Sequence, residues 1–188
     1  MKSRSAAIAI LAVCMCAQGQ GAGPAGMRLS SPDFSAGGRL PERFALNMAE
    51  CSGGNVSPAL RWSGAPEGTK SFAITLFDQD EHLVPSGWWH WVLYDIPAAV
   101  DHLPQGAGSE NSRSLPAGAL QGRSDLGNRA YHGPCPEHGD KPHRYVFTLY
   151  ALSVDKLPVA EGSSGAMVTY VAHDLTLAKT TLTALYGR

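Results

Sequence analysis

The sequence has little charge and no concentration of either sign, with 15 Lys and Arg against 16 Asp and Glu in 188 residues and a formal net charge of −1. No segment holds the surplus of Lys and Arg needed to neutralise a phosphate backbone, which excludes a sequence-independent nucleic-acid binder. Cysteine is scarce, at 4 residues. There is no Gly-x-Ser-x-Gly nucleophile elbow, no internal repeat and no sign of a second domain. An apolar run long enough to cross a bilayer as a helix is also missing, since the stretch from Ala6 to Ala17 is too short for a hydrocarbon core of roughly 30 Å. Hydrophobic residues are plentiful, at 44% with few charge runs, so extended disorder is excluded. The length suits one domain with a sizeable core.

Lys2 and Arg4 precede that apolar run, and small and polar residues follow it through Gly23. The pattern reads as a secretory signal peptide over residues 1–19, cleaved near Ala17-Gln18-Gly19. Residues 20–26 read as a flexible Gly/Ala-rich leader and residues 27–188 as the domain. Lipidation is disfavoured because Cys14 follows Val13 and Cys16 follows Met15, where a small residue is expected. Removing residues 1–19 takes away Lys2 and Arg4 and no acid, moving the formal charge from −1 to about −3. It also leaves two cysteines, Cys51 and Cys135. In an exported chain, periplasmic or secreted, such a pair is expected to form one disulfide.

Three apolar, β-rich runs read as central strands, at Ser71–Phe77, Trp88–Ile96 and Arg144–Leu152. Runs of this kind fit strands buried on both faces or sandwiched between sheets. Between the second and third lies a long Gly-, Pro-, Ser- and Asn-rich segment, roughly residues 97–143. A connection of that length is functional or conceals short elements. Near the end, Met167, Val171, Leu175, Ala178, Leu182 and Leu185 recur at helical spacing and predict one amphipathic helix packed on the sheet. Ser163 or Ser164 is its expected cap and Gly187 its expected stop.

Four groupings place ionisable side chains beside these strands. Asp78 and Asp80 close the first run, on the same side if the strand continues. They can bind a cation, share a proton or accept hydrogen bonds from loops, and a turn cap is a common role for Asp-x-Asp at a strand end. His90 sits in Gly87-Trp88-Trp89-His90-Trp91, where indoles can wall a pocket, although a lone strand histidine is more often a hydrogen-bonded core residue. Tyr131-His132-Gly133-Pro134-Cys135-Pro136 has a glycine and two prolines that fix a loop and let a ligand approach its backbone. His143 precedes the third strand in His143-Arg144-Tyr145 and can enter the same strand-end pocket.

Taken in order with Asn55-Val56-Ser57-Pro58-Ala59-Leu60-Arg61-Trp62, these motifs resemble the phosphatidylethanolamine-binding protein family, most closely its bacterial Raf-kinase-inhibitor-like branch. The resemblance covers roughly residues 27–187 and rests on five ordered motifs. It implies a mainly β fold, an antiparallel Greek-key sandwich with short peripheral helices and a C-terminal helix. It also implies a small cavity at one end that binds phosphate, acetate or a phosphorylethanolamine headgroup. By motif match the implied ligand-binding residues are Asp78, Asp80, His90, Gly133, Cys135, His143 and Tyr145. Trp88, Trp89, Pro134 and Pro136 would wall the pocket. Two positions depart from the pattern: Gln79 stands where the family commonly has Pro, and Glu137 where a second Pro is common.

A phosphate accepts hydrogen bonds from protonated histidine, from a tyrosine hydroxyl and from loop N–H groups. Aspartates beside it make sense if they orient the histidines and stabilise imidazolium, or accept from a ligand ammonium. The expectation is therefore an exported binding protein with a small anion pocket, able to modulate another protein, with no cofactor and no resident metal. A kinase-inhibiting role does not transfer, since an exported protein does not readily meet a cytosolic kinase. Two other readings use the same residues. One is a hydrolase with His90 or His143 as general base. The other is a metal site at Asp78, Asp80, His90 and His143, ligand types without a recognised spacing.

Overall fold

A computed structural model describes residues 26–188, so the expected signal peptide and nearly all of the expected leader lie outside the described residues. Among the described residues, eight strands, one short 3-10 turn and one α-helix make up the fold. β1 (Arg28–Ser30), β2 (Leu60–Ser63) and β5 (His102–Leu103) form a small antiparallel sheet. β3 (Ser71–Asp78), β4 (Trp88–Pro97), β6 (Leu120–Gln121), β7 (His143–Leu152) and β8 (Thr176–Tyr186) form a larger antiparallel sheet in the order β6-β4-β3-β7-β8. The 3-10 turn is Glu42–Phe44 and the helix, α1, is Gly165–His173.

The three apolar runs are the three central strands of the large sheet, and both faces of that sheet are covered. Leu60 and Trp62 of β2 pack against Phe72, Ile74, Phe147 and Leu149 on its inner face. On the outer face Ala73, Val92 and Tyr94 lie beneath Val168 and Ala172 of α1. Burial from both sides removes the polar alternation a half-exposed strand would show, which is why β3 reads as a continuous apolar run. The long middle segment contains the short strands β5 and β6 and then a loop that passes the end of the sheet.

The C-terminal stripe departs from the sequence expectation. The helix exists and Ser164 caps it, accepting from the Met167 N–H at 3.3 Å, but it ends at His173 after nine residues. Gly165, Val168 and Ala172 are its buried positions, whereas Met167 is exposed. The remainder is β8, where Leu182, Ala184 and Tyr186 are buried at alternate positions and pair with β7. Four threonines, at 176, 180, 181 and 183, favour an extended chain there, and pairing with a long neighbouring strand decides the matter.

Candidate functional site

Strand register assembles the site. Asp78, at the end of β3, pairs with Trp88 on β4 and with Tyr145 on β7. Directly opposed residues project to one face, so an indole, a carboxylate and a phenol stand in a row at one end of the sheet. A β-bulge in β4, opposite Leu76 and Phe77, then adds one residue to that strand. His90 and Trp91 both turn inward as a result, His90 with its ring 5.2 Å from that of Tyr145 and Trp91 into the core between the sheets.

The loop after β6 closes over this row. The His132 N–H donates to the His90 carbonyl at 2.9 Å, and His90 Nδ1 donates to the His132 carbonyl at 2.9 Å. Nε2 is thereby the nitrogen left for the cavity that the ring lines. The Tyr131 hydroxyl donates to the Phe44 carbonyl at 2.8 Å, and the Leu46 N–H to the Pro134 carbonyl at 3.0 Å. Cys51 and Cys135 are joined by a disulfide, with S–S 2.04 Å and Cα–Cα 5.9 Å, which fastens the same loop to the segment after the 3-10 turn.

Between these pieces lies a cavity of about 440 Å³. Asp78, His90 and Tyr145 form its polar floor, Gly133, Cys135 and Pro136 one wall, and Trp88 another part of its lining. Leu46, Leu83, Val84 and Leu126 add apolar surface, with Leu83 and Leu126 exposed at the rim. Besides Asp78, the acidic residues Glu50, Glu81 and Glu137 are among its lining, with Arg188 as the one basic residue, its Nη2 3.4 Å from Glu50 Oε2. Arg188 is itself engaged, donating from Nε to the Pro136 carbonyl at 2.6 Å and from Nη1 to the Glu50 carbonyl at 2.9 Å.

Burial fixes the protonation states that matter for the floor. Loss of hydration pushes His90 down from 6.5 to about 4, the nearby Asp78 charge opposing this only in part, so the ring is neutral at pH 7. That differs from the imidazolium expected from sequence: a neutral ring with Nδ1 bonded to the His132 carbonyl presents Nε2 to the cavity as an acceptor. Burial, followed by the charge of Asp78, raises the Tyr145 phenol well above its usual range, so it keeps its proton and remains a donor. For His143 burial lowers the value, but the hydrogen bond and charge of Asp78, with Asp140 and Glu81, outweigh it and raise it.

Not every expected site residue reaches the cavity. Asp80 turns away to Arg144, accepting from its backbone N–H at 2.7 Å and its Nε at 2.8 Å, and the Arg144 hydrogen bonds hold the carboxyl below its usual range. His143 stands behind Asp78, donating from Nδ1 to Oδ2 at 2.8 Å. Asp78 Oδ1 accepts from the N–H groups of Asp80 and Glu81 at 2.9 and 3.2 Å, so this carboxylate also caps the turn after β3. Trp89 packs on Phe77 and against Gly165 of α1, on the opposite face from His90. Pro134 contributes its carbonyl to Leu46 rather than lining the cavity. Sequence reasoning missed Leu46, Glu50, Glu81, Leu83, Leu126 and Arg188, which come from four separate segments with no shared motif.

Gly133 has a role different from the one expected. Its N–H donates to Asn55 Oδ1 at 2.9 Å and is not free for a ligand. Since proline has no N–H, Cys135 holds the only N–H of this Gly-Pro-Cys-Pro turn without a partner among the described residues. Gly133 is small because its backbone lies on the 44–46 segment, where a Cβ would come within 2.1 Å of the Phe44 carbonyl oxygen and 2.5 Å of the Ala45 carbonyl carbon. Neither obstacle is a side chain that can swing aside. Gly133→Ala is therefore expected to cost about 1–3 kcal/mol, read as a lower urea midpoint; an unchanged midpoint would contradict this packing account.

Comparison with known proteins places the chain in a defined company. A family model described as phosphatidylethanolamine-binding protein matches residues 30–187. The UPF0098 protein YbcL of Escherichia coli strain K12 is 44% identical over 162 residues, spanning 86% of this chain and 88% of that one. The UPF0098 protein YbhB of the same strain is 44% identical over 161 residues, spanning 86% of this chain and all of its own length (100%). The crystal structure of Escherichia coli YbcL, described as a new member of the mammalian PEBP family, superimposes with a TM-score of 0.84, covering 87% of this chain and 99% of that one.

Proposed function

Because the chain belongs to the phosphatidylethanolamine-binding protein family, we propose that it is an exported binding protein whose cavity holds a small phosphorylated headgroup that also carries an ammonium group. The composition of the cavity carries this reading. Acceptors outnumber donors: Asp78 and His90 Nε2 on the floor with three glutamates around it, against the Tyr145 hydroxyl, the Cys135 N–H and Arg188. Inorganic phosphate carries one to two negative charges near pH 7 and at most two O–H donors, so most of these acidic groups would repel it. A phosphorylated amine presents both partners, its phosphate toward Tyr145 and Cys135 and its ammonium toward Asp78. The apolar rim of Leu83, Val84 and Leu126 suits a headgroup that continues into a hydrophobic body. Export is supported by the charged, apolar and small-residue order of residues 1–19, and by a disulfide that suits an oxidising compartment.

The hydrolase reading gains no support. None of the relatives or solved structures compared is described as a hydrolase, and of the two candidate bases His143 lies behind Asp78, outside the cavity lining.

Titration calorimetry with glycerophosphoethanolamine, glycerol phosphate and inorganic phosphate tests the reading. Glycerophosphoethanolamine is expected to bind one to one, and more tightly than the two anions without an amine. Tyr145→Phe is expected to weaken it by about tenfold or more, the loss of a hydrogen bond to a charged group. Asp78→Asn is expected to abolish the preference for the amine. Absence of saturable heat from all three ligands with folded protein, or an unaltered affinity in Tyr145→Phe, would overturn it.

A further inference from the structure

Behind the cavity floor, on the side of His143 away from Asp78, three side chains converge. His143 Nε2 lies 3.5 Å from Asp140 Oδ2, and His82 Nδ1 lies 3.8 Å from the same oxygen. The three atoms all lie within 4.8 Å of one another. Neither contact with Asp140 is a hydrogen bond, and Asp140 Oδ2 is shielded from solvent without any hydrogen-bond partner. A carboxylate oxygen shielded from solvent and facing two imidazole nitrogens, none of the three hydrogen-bonded to another, is a set of donor atoms a cation can bridge. We propose that His82, Asp140 and His143 form a binding site for a divalent transition cation of the zinc type.

The geometry suits such an ion. Zinc bonded at about 2.0–2.2 Å to tetrahedrally placed nitrogen and oxygen ligands sets them roughly 3.3–3.5 Å apart. The Asp140–His143 separation already meets this. The remaining closure falls to His82, which is exposed and lies in the turn between β3 and β4. The outer hydrogen bond is also in place. A metal-bound imidazole commonly donates its second N–H to a carboxylate, which fixes the tautomer and turns the lone pair to the ion. His143 does this through Nδ1 to Asp78 Oδ2 at 2.8 Å, leaving Nε2 for the metal. Asp78 and Asp140 both lie against this ring, at 2.8 Å from Nδ1 and 3.5 Å from Nε2, and their charges favour a cation there. Two imidazoles and one carboxylate select zinc-like ions over magnesium or calcium, which take oxygen ligands.

His82 and Asp140 are not part of the cavity lining, so this site can be tested separately from headgroup binding. Full-length protein stripped with EDTA and free of any affinity tag is titrated with zinc chloride against a chromogenic chelator. One zinc per chain is expected to be drawn from the chelator, while magnesium and calcium fail to compete. His82→Ala and Asp140→Asn are each expected to weaken zinc about tenfold or more, and Asp78→Asn, through the orientation of His143, about 10- to 100-fold. Imidazole NMR signals of His82 and His143 should move on adding zinc while those of His90 stay in place. Failure to compete for zinc, wild-type affinity in both His82→Ala and Asp140→Asn, or unmoved His82 and His143 signals would overturn the proposal.

Discussion

Cys51→Ala/Cys135→Ala is expected to lose about 4–5 kcal/mol of stability. The bridge joins residues 84 apart in sequence, and closing a loop of that length in the unfolded chain costs about this much in the chain-entropy model. For a domain of this size the corresponding fall in melting temperature is roughly 10–15 °C. The fold itself is expected to persist. The loop stays tied through the Leu46–Pro134 backbone bond, the Gly133–Asn55 bond and the Arg188–Pro136 bond, at 3.0, 2.9 and 2.6 Å. Urea unfolding of the variant and of the oxidised wild type, followed by circular dichroism, measures the difference. A loss under about 1 kcal/mol would mean that the non-covalent ties already fix the loop and that the crosslink adds little. Because Cys135 and Pro136 wall the cavity, the same substitution should also weaken binding of the proposed headgroup.

The large sheet is legible in the sequence because burial on both faces leaves an unbroken apolar signature, and Ser71, Trp88 and His143 begin their strands within a residue of where the runs place them. The last strand is not legible in the same way. Positions 178, 182 and 185 satisfy a helical spacing as well as they fit a strand, and only pairing with β7 along Arg144 to Leu152 selects the latter. The site divides along similar lines. Tyr145 and Asp78 follow from register once the strands are known, whereas Asp80 is claimed by Arg144, its neighbour in space and 64 residues away in sequence. Trp89 could have been separated from His90 by alternation alone. The inward turn of both His90 and Trp91 could not, since it depends on a bulge that no local signal marks. The glutamates and Arg188 around the cavity come from loops whose approach is settled by tertiary packing, so no spacing rule reaches them.

Acidification should expose the cost of keeping His90 neutral. In the folded protein its proton affinity falls from 6.5 to about 4 because burial strips its hydration. Between those two values the unfolded chain binds a proton that the folded chain refuses, so stability must fall as pH drops through this window. The His90 contribution is fully present above about pH 6.5 and is lost as pH approaches 4; between pH 7.5 and 4.5 the loss amounts to roughly 2–3 kcal/mol. His143 has the opposite sign, since its raised value favours the folded state at the acid end, and it partly masks the effect in the wild type. The comparison therefore needs His90→Asn, whose amide retains a donor for the His132 carbonyl but does not titrate. Urea unfolding of both proteins at the two pH values, with EDTA present, isolates the term. The wild type is expected to lose roughly 2–3 kcal/mol more than His90→Asn on acidification. Equal losses would place the His90 proton affinity near its ordinary value, so that Nε2 could be protonated beside a phosphate, and the argument for an amine on the ligand would rest on Asp78 and the glutamates alone.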